Sequence, residues 1–147
     1  MNEGPYFIDA NIPMYAAGAN HPLKAPSLAI LTAVAEGRLT AVTDCEVLQE
    51  VLHRYTALGR RREAVEAARL FLRIVPEVLP ITKDDLLLAL ELHQRHSDLQ
   101  ARDSLHAAVM ASHRLGLIIS ADRHFDTLPD LRRLDPADWP AWAPGHP

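Results

Sequence analysis

Three things are scarce in this chain, and each scarcity removes a class of proteins. Cysteine is nearly absent. Cys45 stands alone, which excludes an intrachain disulfide and a cysteine-based zinc site and suits a reducing cytoplasm. Positive charge is not in excess: 15 Lys and Arg against 19 Asp and Glu give a formal net charge of -4 and a sequence pI near 6.0. Such a molecule lacks the electrostatic footprint of a sequence-independent duplex-DNA binder, so any nucleic-acid contact has to be local. Long apolar runs are missing too, none approaching the roughly 18–20 residues that span a bilayer. The opening Met1-Asn2-Glu3-Gly4-Pro5 has no basic segment leading into an apolar one. The expectation is an unexported cytoplasmic protein without membrane contact.

What remains is 147 residues at 48% hydrophobic content, ample for one core and the length of a single domain. Short apolar runs alternate with helical patterns. Tyr6-Phe7-Ile8 reads as a buried strand that ends in Asp9, with Asn11 and Pro13 supplying turn or helix-start chemistry. A short helical turn over 12–17 and a break at Gly18–Pro22 follow. A second helix, with Pro26 near its start, ends at Gly37. Leu39–Thr43 reads as the second strand. Thr43 and Glu46 fit a capping box, with Val47, Leu48, Val51, Leu52 and Tyr55 as the apolar arc of the next helix. Glu46 thus has a capping duty, whereas Glu50, at the edge of the arc, does not. A solvated flank is the other reading of Glu50.

Leu58-Gly59 ends that helix, and Arg60-Arg61-Arg62 opens another that runs to Pro76. The arginine run is either a solvated face or a local nucleic-acid contact. Glu77–Ile81 is a strand whose Pro80 favours a sheet edge. Thr82–Asp85 caps a helix with a Leu86, Leu87, Leu90 and Leu92 stripe, and His93, Arg95 and His96 close it, where cations suit the helix dipole. Ser97-Asp98 offers a further cap, before a helix over 101–111 that is small and apolar on most sides and therefore buried. Asp103 within it needs a reason, since an unpaired buried carboxylate is costly. Gly116 stops this helix. Leu117–Ser120 is the strongest buried-strand signal, leading into Ala121-Asp122, and Leu131–Leu134 is a short fifth strand. Residues 1–136 form the expected domain. Residues 137–147 form a Pro-rich tail in which Trp139 and Trp142 either pack down or meet a partner.

Strands alternating with helices imply an α/β fold with a parallel sheet covered on both faces. If the strands ending at Asp9 and Ser120 are neighbours, Asp9 and Asp122 meet at one sheet edge, where helices bearing Glu50 and Asp103 can join them. Gathered carboxylates without basic partners raise one another's pKa, and a hard divalent cation, Mg²⁺ or Mn²⁺, resolves that conflict. Such a centre suits phosphodiester hydrolysis.

Four pieces, Phe7–Tyr15, Thr43–Val51, Ala101–Ala108 and Ile118–Phe125, resemble the successive motifs of PIN-domain nucleases, in order and at similar spacing. Size and architecture are most similar to VapC-type toxins of toxin-antitoxin pairs. The resemblance implies a three-layer α/β/α sandwich with four to five strands. It also implies a Mg²⁺- or Mn²⁺-dependent ribonuclease, commonly a homodimer inhibited by a small antitoxin. By position, Asp9, Glu50, Asp103 and Asp122 match the acidic quartet, catalytic and metal-holding, with Asn11 and Ser120 supporting the ligand carboxylates. Asp126 is an extra ligand or a turn former. The acidic balance departs from many RNA-cutting enzymes, so Arg102, Arg123, His124 and the Arg60–Arg62 run are the candidates for a local phosphate track. Other readings are an RNA-processing PIN nuclease outside a toxin-antitoxin pair, a PIN-like module that only binds, and a phosphohydrolase with an aspartate nucleophile. Asn11 replaces the second aspartate that the last one requires.

Overall fold

The computed structural model describes residues 4–145; the outermost parts of the expected domain and tail, 1–3 and 146–147, lie outside that range. Five strands form one parallel sheet: β1 (Tyr6–Ile8), β2 (Ala41–Asp44), β3 (Val78–Leu79), β4 (Leu117–Ile119) and β5 (Arg132–Leu134). Six α-helices among the described residues complete a three-layer α/β/α sandwich: α1 (Asn11–Ala17), α2 (Lys24–Ala35), α3 (Cys45–Ala57), α4 (Arg61–Ile74), α5 (Lys83–Arg95) and α6 (Ala101–Ser112). None is long and apolar enough to cross a membrane.

Strand order is β3-β2-β1-β4-β5. The chain winds outward from β1 through β2 to β3, then returns to lay β4 against the other side of β1. This reversal creates a switch point between β1 and β4, and in open α/β sheets the crevice beyond the strand ends at such a point receives the ligand. Register fixes which residues arrive there. Ile8 lies beside Ile119, so Asp9 and Ser120 emerge side by side. Tyr6, Phe7, Ile8, Ile118 and Ile119 are almost completely enclosed, and β3, the strand carrying the neighbouring Pro80, is at an edge.

Two glycines end helices in the way that only a residue free of Cβ adopts readily. Gly37 and Gly59 both take φ 75°. After each, the chain closes a Schellman pair: Gly59 N–H to Thr56 O and Arg60 N–H to Tyr55 O, and likewise Gly37 to Val34 and Arg38 to Ala33.

Several local expectations are corrected. The capping box at Thr43 does not form, because β2 runs one residue further. The Thr43 hydroxyl donates across the sheet to Ile8 O (3.0 Å), and Asp44 becomes the N-cap of α3, accepting from Val47 N–H at 2.9 Å. Ser97 and Asp98 do not cap α6, whose N-cap is Gln100 without a side-chain bond. The chain turns after α6 through Arg114, at φ 56°, before it reaches Gly116. On α5 the capping box at Thr82 and Asp85 forms, but Leu86, Leu87 and Leu90 face solvent while Ala89 and Asp85 face inward. The tail packs down: Trp142 lies on Tyr6 and Trp139, with its Nε1–H donating to Asp135 O at 2.8 Å.

Candidate active site

The switch point opens into a cleft of about 250 Å³ lined by Asp9, Glu50, Asp103 and Asp122 together with Asn11, Tyr15, Arg54, Gln100, Arg102, Ala121 and His124. Four separate elements deliver the carboxylates. Asp9 follows β1, Glu50 stands on α3, Asp103 lies in the first turn of α6, and Asp122 follows β4. Asp9, Glu50 and Asp103 are each about 95% enclosed.

A small network locks Asp9. Ser120 Oγ–H donates to its Oδ2 (2.7 Å), Asn11 Nδ2–H reaches the same oxygen at 3.3 Å, and Ala10 N–H donates to Oδ1 (2.8 Å). Asn11 also donates to Ser120 Oγ and accepts from Ala121 N–H, and Ser120 Oγ accepts from Asp122 N–H. Asn11 and Ser120 therefore tie the end of β1 to the end of β4 and aim one carboxylate between them.

The electrostatics are uneven. Burial, with the charges of Asp122 and Asp9, pushes the Asp103 carboxyl up to about 6. Burial and the Asp9 charge also raise Glu50. Glu50 is not without basic partners, however: Arg54 and Arg102 reach its Oε1 at 2.9 and 3.3 Å. Arg102 and His124 line the cleft, His124 beside Asp122 (Nδ1–Oδ1 2.9 Å), while Arg123 is exposed and does not line it. The Arg60–Arg62 run opens α4 outside the lining residues. Asp126 turns away to a two-point pairing with Arg133 (2.9 and 3.2 Å).

His106, its partner Asp44, Arg133 and the Glu50 partner Arg54 escape the sequence reading. His106, fully buried on α6, sets Nδ1 2.7 Å from Asp44 Oδ2 and Nε2 3.8 Å from Asp9 Oδ1. Burial opposes protonation of its ring, but the hydrogen bond and charge of Asp44, with the charges of Asp9 and Glu50, outweigh this and raise it to about 9. Two signals pointed there: His106 lies one helical turn beyond Asp103, and Val42-Thr43-Asp44 repeats the strand-then-carboxylate pattern of Ile8-Asp9. Arg133 also donates to Ser120 O (3.0 Å) and Asp135 Oδ2 (3.1 Å), bracing the end of β4.

The donor set suits a divalent cation. Ligand atoms of Asp9, Glu50 and His106 lie within 4.8 Å of one another, as do those of Asp103, Asp122 and His124. The raised carboxyl of Asp103 marks negative charge that the protein alone leaves uncompensated.

A doubly wound parallel sheet that gathers carboxylates at its switch point is the architecture of the PIN class. The family model for the PIN domain matches residues 6–131. Ribonuclease VapC13 of Mycobacterium tuberculosis is 45% identical over 127 residues, covering 86% of this chain and 97% of that protein. The chain belongs to the PIN-domain family and, within it, to the VapC group. Among solved structures, M. tuberculosis VapC20, described as a sarcin-ricin loop cleaving toxin, superposes with a TM-score of 0.71 at 21% identity over 85% of this chain and 95% of that one. Rickettsia felis VapBC2, bound to a DNA fragment from its promoter, gives 0.70 at 16% over 88% and 97%. At those identities the likeness concerns the fold.

Proposed function

We propose that this protein is an endoribonuclease that depends on Mg²⁺ or Mn²⁺ and serves as the toxin of a VapBC-type pair. The observation that carries the reading is the convergence of Asp9, Glu50, Asp103 and Asp122 from four elements on one cleft at the switch point. The names of the similar proteins, a ribonuclease and a sarcin-ricin loop cleaving toxin, support it. Asp9 and Asp103 are the principal metal ligands in this reading, with Glu50 and Asp122 direct or water-mediated ones. When bound, the cation supplies a Lewis acid that eases deprotonation of a water and offsets charge on the phosphodiester.

The protein's own groups do the positioning. Ser120 and Asn11 hold Asp9 in one rotamer, so no side-chain reorganisation accompanies the reaction. Arg54 and Arg102, cationic at the cleft wall, draw in the phosphate backbone, and His124 extends that track. Residues 1–136 constitute the nuclease unit and 137–147 its tail. The setting is cytoplasmic.

The reading includes a homodimer and a small antitoxin. An apolar groove of about 350 Å³ between α1, α2 and α4, flanked by exposed Leu28 and Leu70, supports a protein partner that presents apolar side chains. Incubation of the purified chain with RNA and Mn²⁺, with and without excess EDTA, tests the activity. Cleavage that EDTA does not affect, or that survives in both Asp9→Asn and Asp103→Asn, overturns the assignment. Expression without the neighbouring gene product tests the toxin role, and unimpaired growth overturns it.

A further inference from the structure

His106 Nε2 has no hydrogen-bond partner among the described residues, although the ring is fully enclosed. Leaving a buried polar nitrogen unmatched is costly, so its direction is informative. Asp44 explains that direction. Its Oδ1 is taken by Val47 N–H at the start of α3, and its Oδ2 faces His106 Nδ1 at 2.7 Å. With Nδ1 engaged by Asp44, Nε2 is the ring nitrogen left on the side of the cleft, 3.8 Å from Asp9 Oδ1, and ligand atoms of Asp9, Glu50 and His106 lie within 4.8 Å of one another. A carboxylate that fixes the tautomer of an imidazole whose other nitrogen faces further acidic oxygens is the arrangement by which proteins present histidine to metals.

We infer that His106 Nε2, oriented by Asp44, is a nitrogen ligand beside Asp9 and Glu50, so that the inner half of the cleft selects a first-row transition-metal dication over Mg²⁺. This inference rests on the metal-dependent reading given above. An oxygen-only set suits Mg²⁺, whereas imidazole adds affinity for borderline transition metals. α6 then feeds both halves of the site: Asp103 reaches Asp122 and His124, and His106, one turn later, reaches Asp9 and Glu50. An ion entering the inner half displaces whatever proton Nε2 carries, and that proton leaves to solvent. The competing role for His106 is a buried cation that balances Asp44 and Asp9 without touching a metal.

The test uses the full chain, Mn²⁺ as the probe and no RNA. Mn²⁺ binding is titrated by electron paramagnetic resonance, and the bound ion is examined by electron spin-echo modulation in unlabelled and ¹⁵N-histidine-labelled protein. Nitrogen modulation that changes with the label, and that persists in His124→Ala, supports the inference. In Asp44→Asn, which retains a good helix cap, Mn²⁺ affinity is expected to fall about 10- to 100-fold. Mg²⁺ affinity falls less. Mn²⁺ that binds without nitrogen modulation overturns the inference and leaves the metal-dependent nuclease standing. Failure of Mn²⁺ to bind overturns both.

Discussion

The Ser120 hydroxyl donates to Asp9 Oδ2 across 2.7 Å, joining residues 111 positions apart in sequence at the seam between β1 and β4. The bond is at once a staple of the sheet and the setting of a carboxylate. Ser120→Ala is therefore expected to cost about 1.5–3 kcal/mol of stability, the usual worth of a hydrogen bond to a charged group. Cleavage falls about 10- to 100-fold, as when other partners of ligand groups are removed. Urea denaturation and single-turnover cleavage check the two effects separately.

Asp103 carries the opposite balance. Its charge is buried beside Asp122 and Asp9, so Asp103→Asn removes repulsion and is expected to stabilise the metal-free protein at pH 8, by about 1 kcal/mol, while abolishing cleavage. A lower melting temperature for the variant under metal-free conditions would contradict this.

The pH dependence follows from two raised groups. Asp103, at about 6 in the fold against an ordinary 3.8, binds more protons folded than unfolded between those values, so metal-free stability falls as pH rises through that window. His106, at about 9 against 6.5, contributes stability that is fully present below 6.5 and is lost as pH rises through 9. Metal-free unfolding free energy is expected to decline in both ranges. Asp103→Asn flattens the lower range, and His106→Gln flattens the upper one. Denaturation series from pH 4 to 9.5 show whether the slopes have this sign.

On the proposed reading, metal binding acts on the folded state only, because the four carboxylates come together only there. At a hundred times its dissociation constant, Mn²⁺ should add about 2.7 kcal/mol, or roughly 5–10 °C in melting temperature for a chain of this size. EDTA reverses the shift, and Asp9→Asn removes most of it. Scanning calorimetry with and without EDTA makes the measurement.

Asp44 serves two partners, capping α3 and holding His106. Asp44→Ala removes both and leaves the imidazole buried without its partner, an expected loss of about 3–5 kcal/mol. Asp44→Asn, which still caps, loses distinctly less. Equal losses in the two variants would remove the cap from the account and leave the whole effect with the His106 bond.

Strand ends were legible in the sequence because a short apolar run stopped by a carboxylate is a local signal, and Asp9, Ser120 and Asp122 were found that way. Glu50 and Asp103 were visible as polar residues on the wrong part of an apolar helix. What escaped was relational. Thr43-Asp44-Cys45-Glu46-Val47 contains two overlapping capping frames, and only the length of β2 decides between them in favour of Asp44. His106 looks like one more small-helix residue until Asp44 is placed beside it, 62 positions away. The α5 leucines show a helical period, but a period does not say which face meets the core. Asp126 gave no hint that Arg133 would claim it.

The position of β4 has a consequence for the life of the chain. β1, β2 and β3 leave the ribosome in sequence, yet the centre of the sheet stays open until β4 arrives and seats against β1. Ser120 and Asp122 come with it. A nascent chain that has folded everything before β4 holds Asp9 without its hydroxyl donor and lacks the fourth carboxylate. Any activity of this cleft therefore begins only after β4 has emerged and paired with β1.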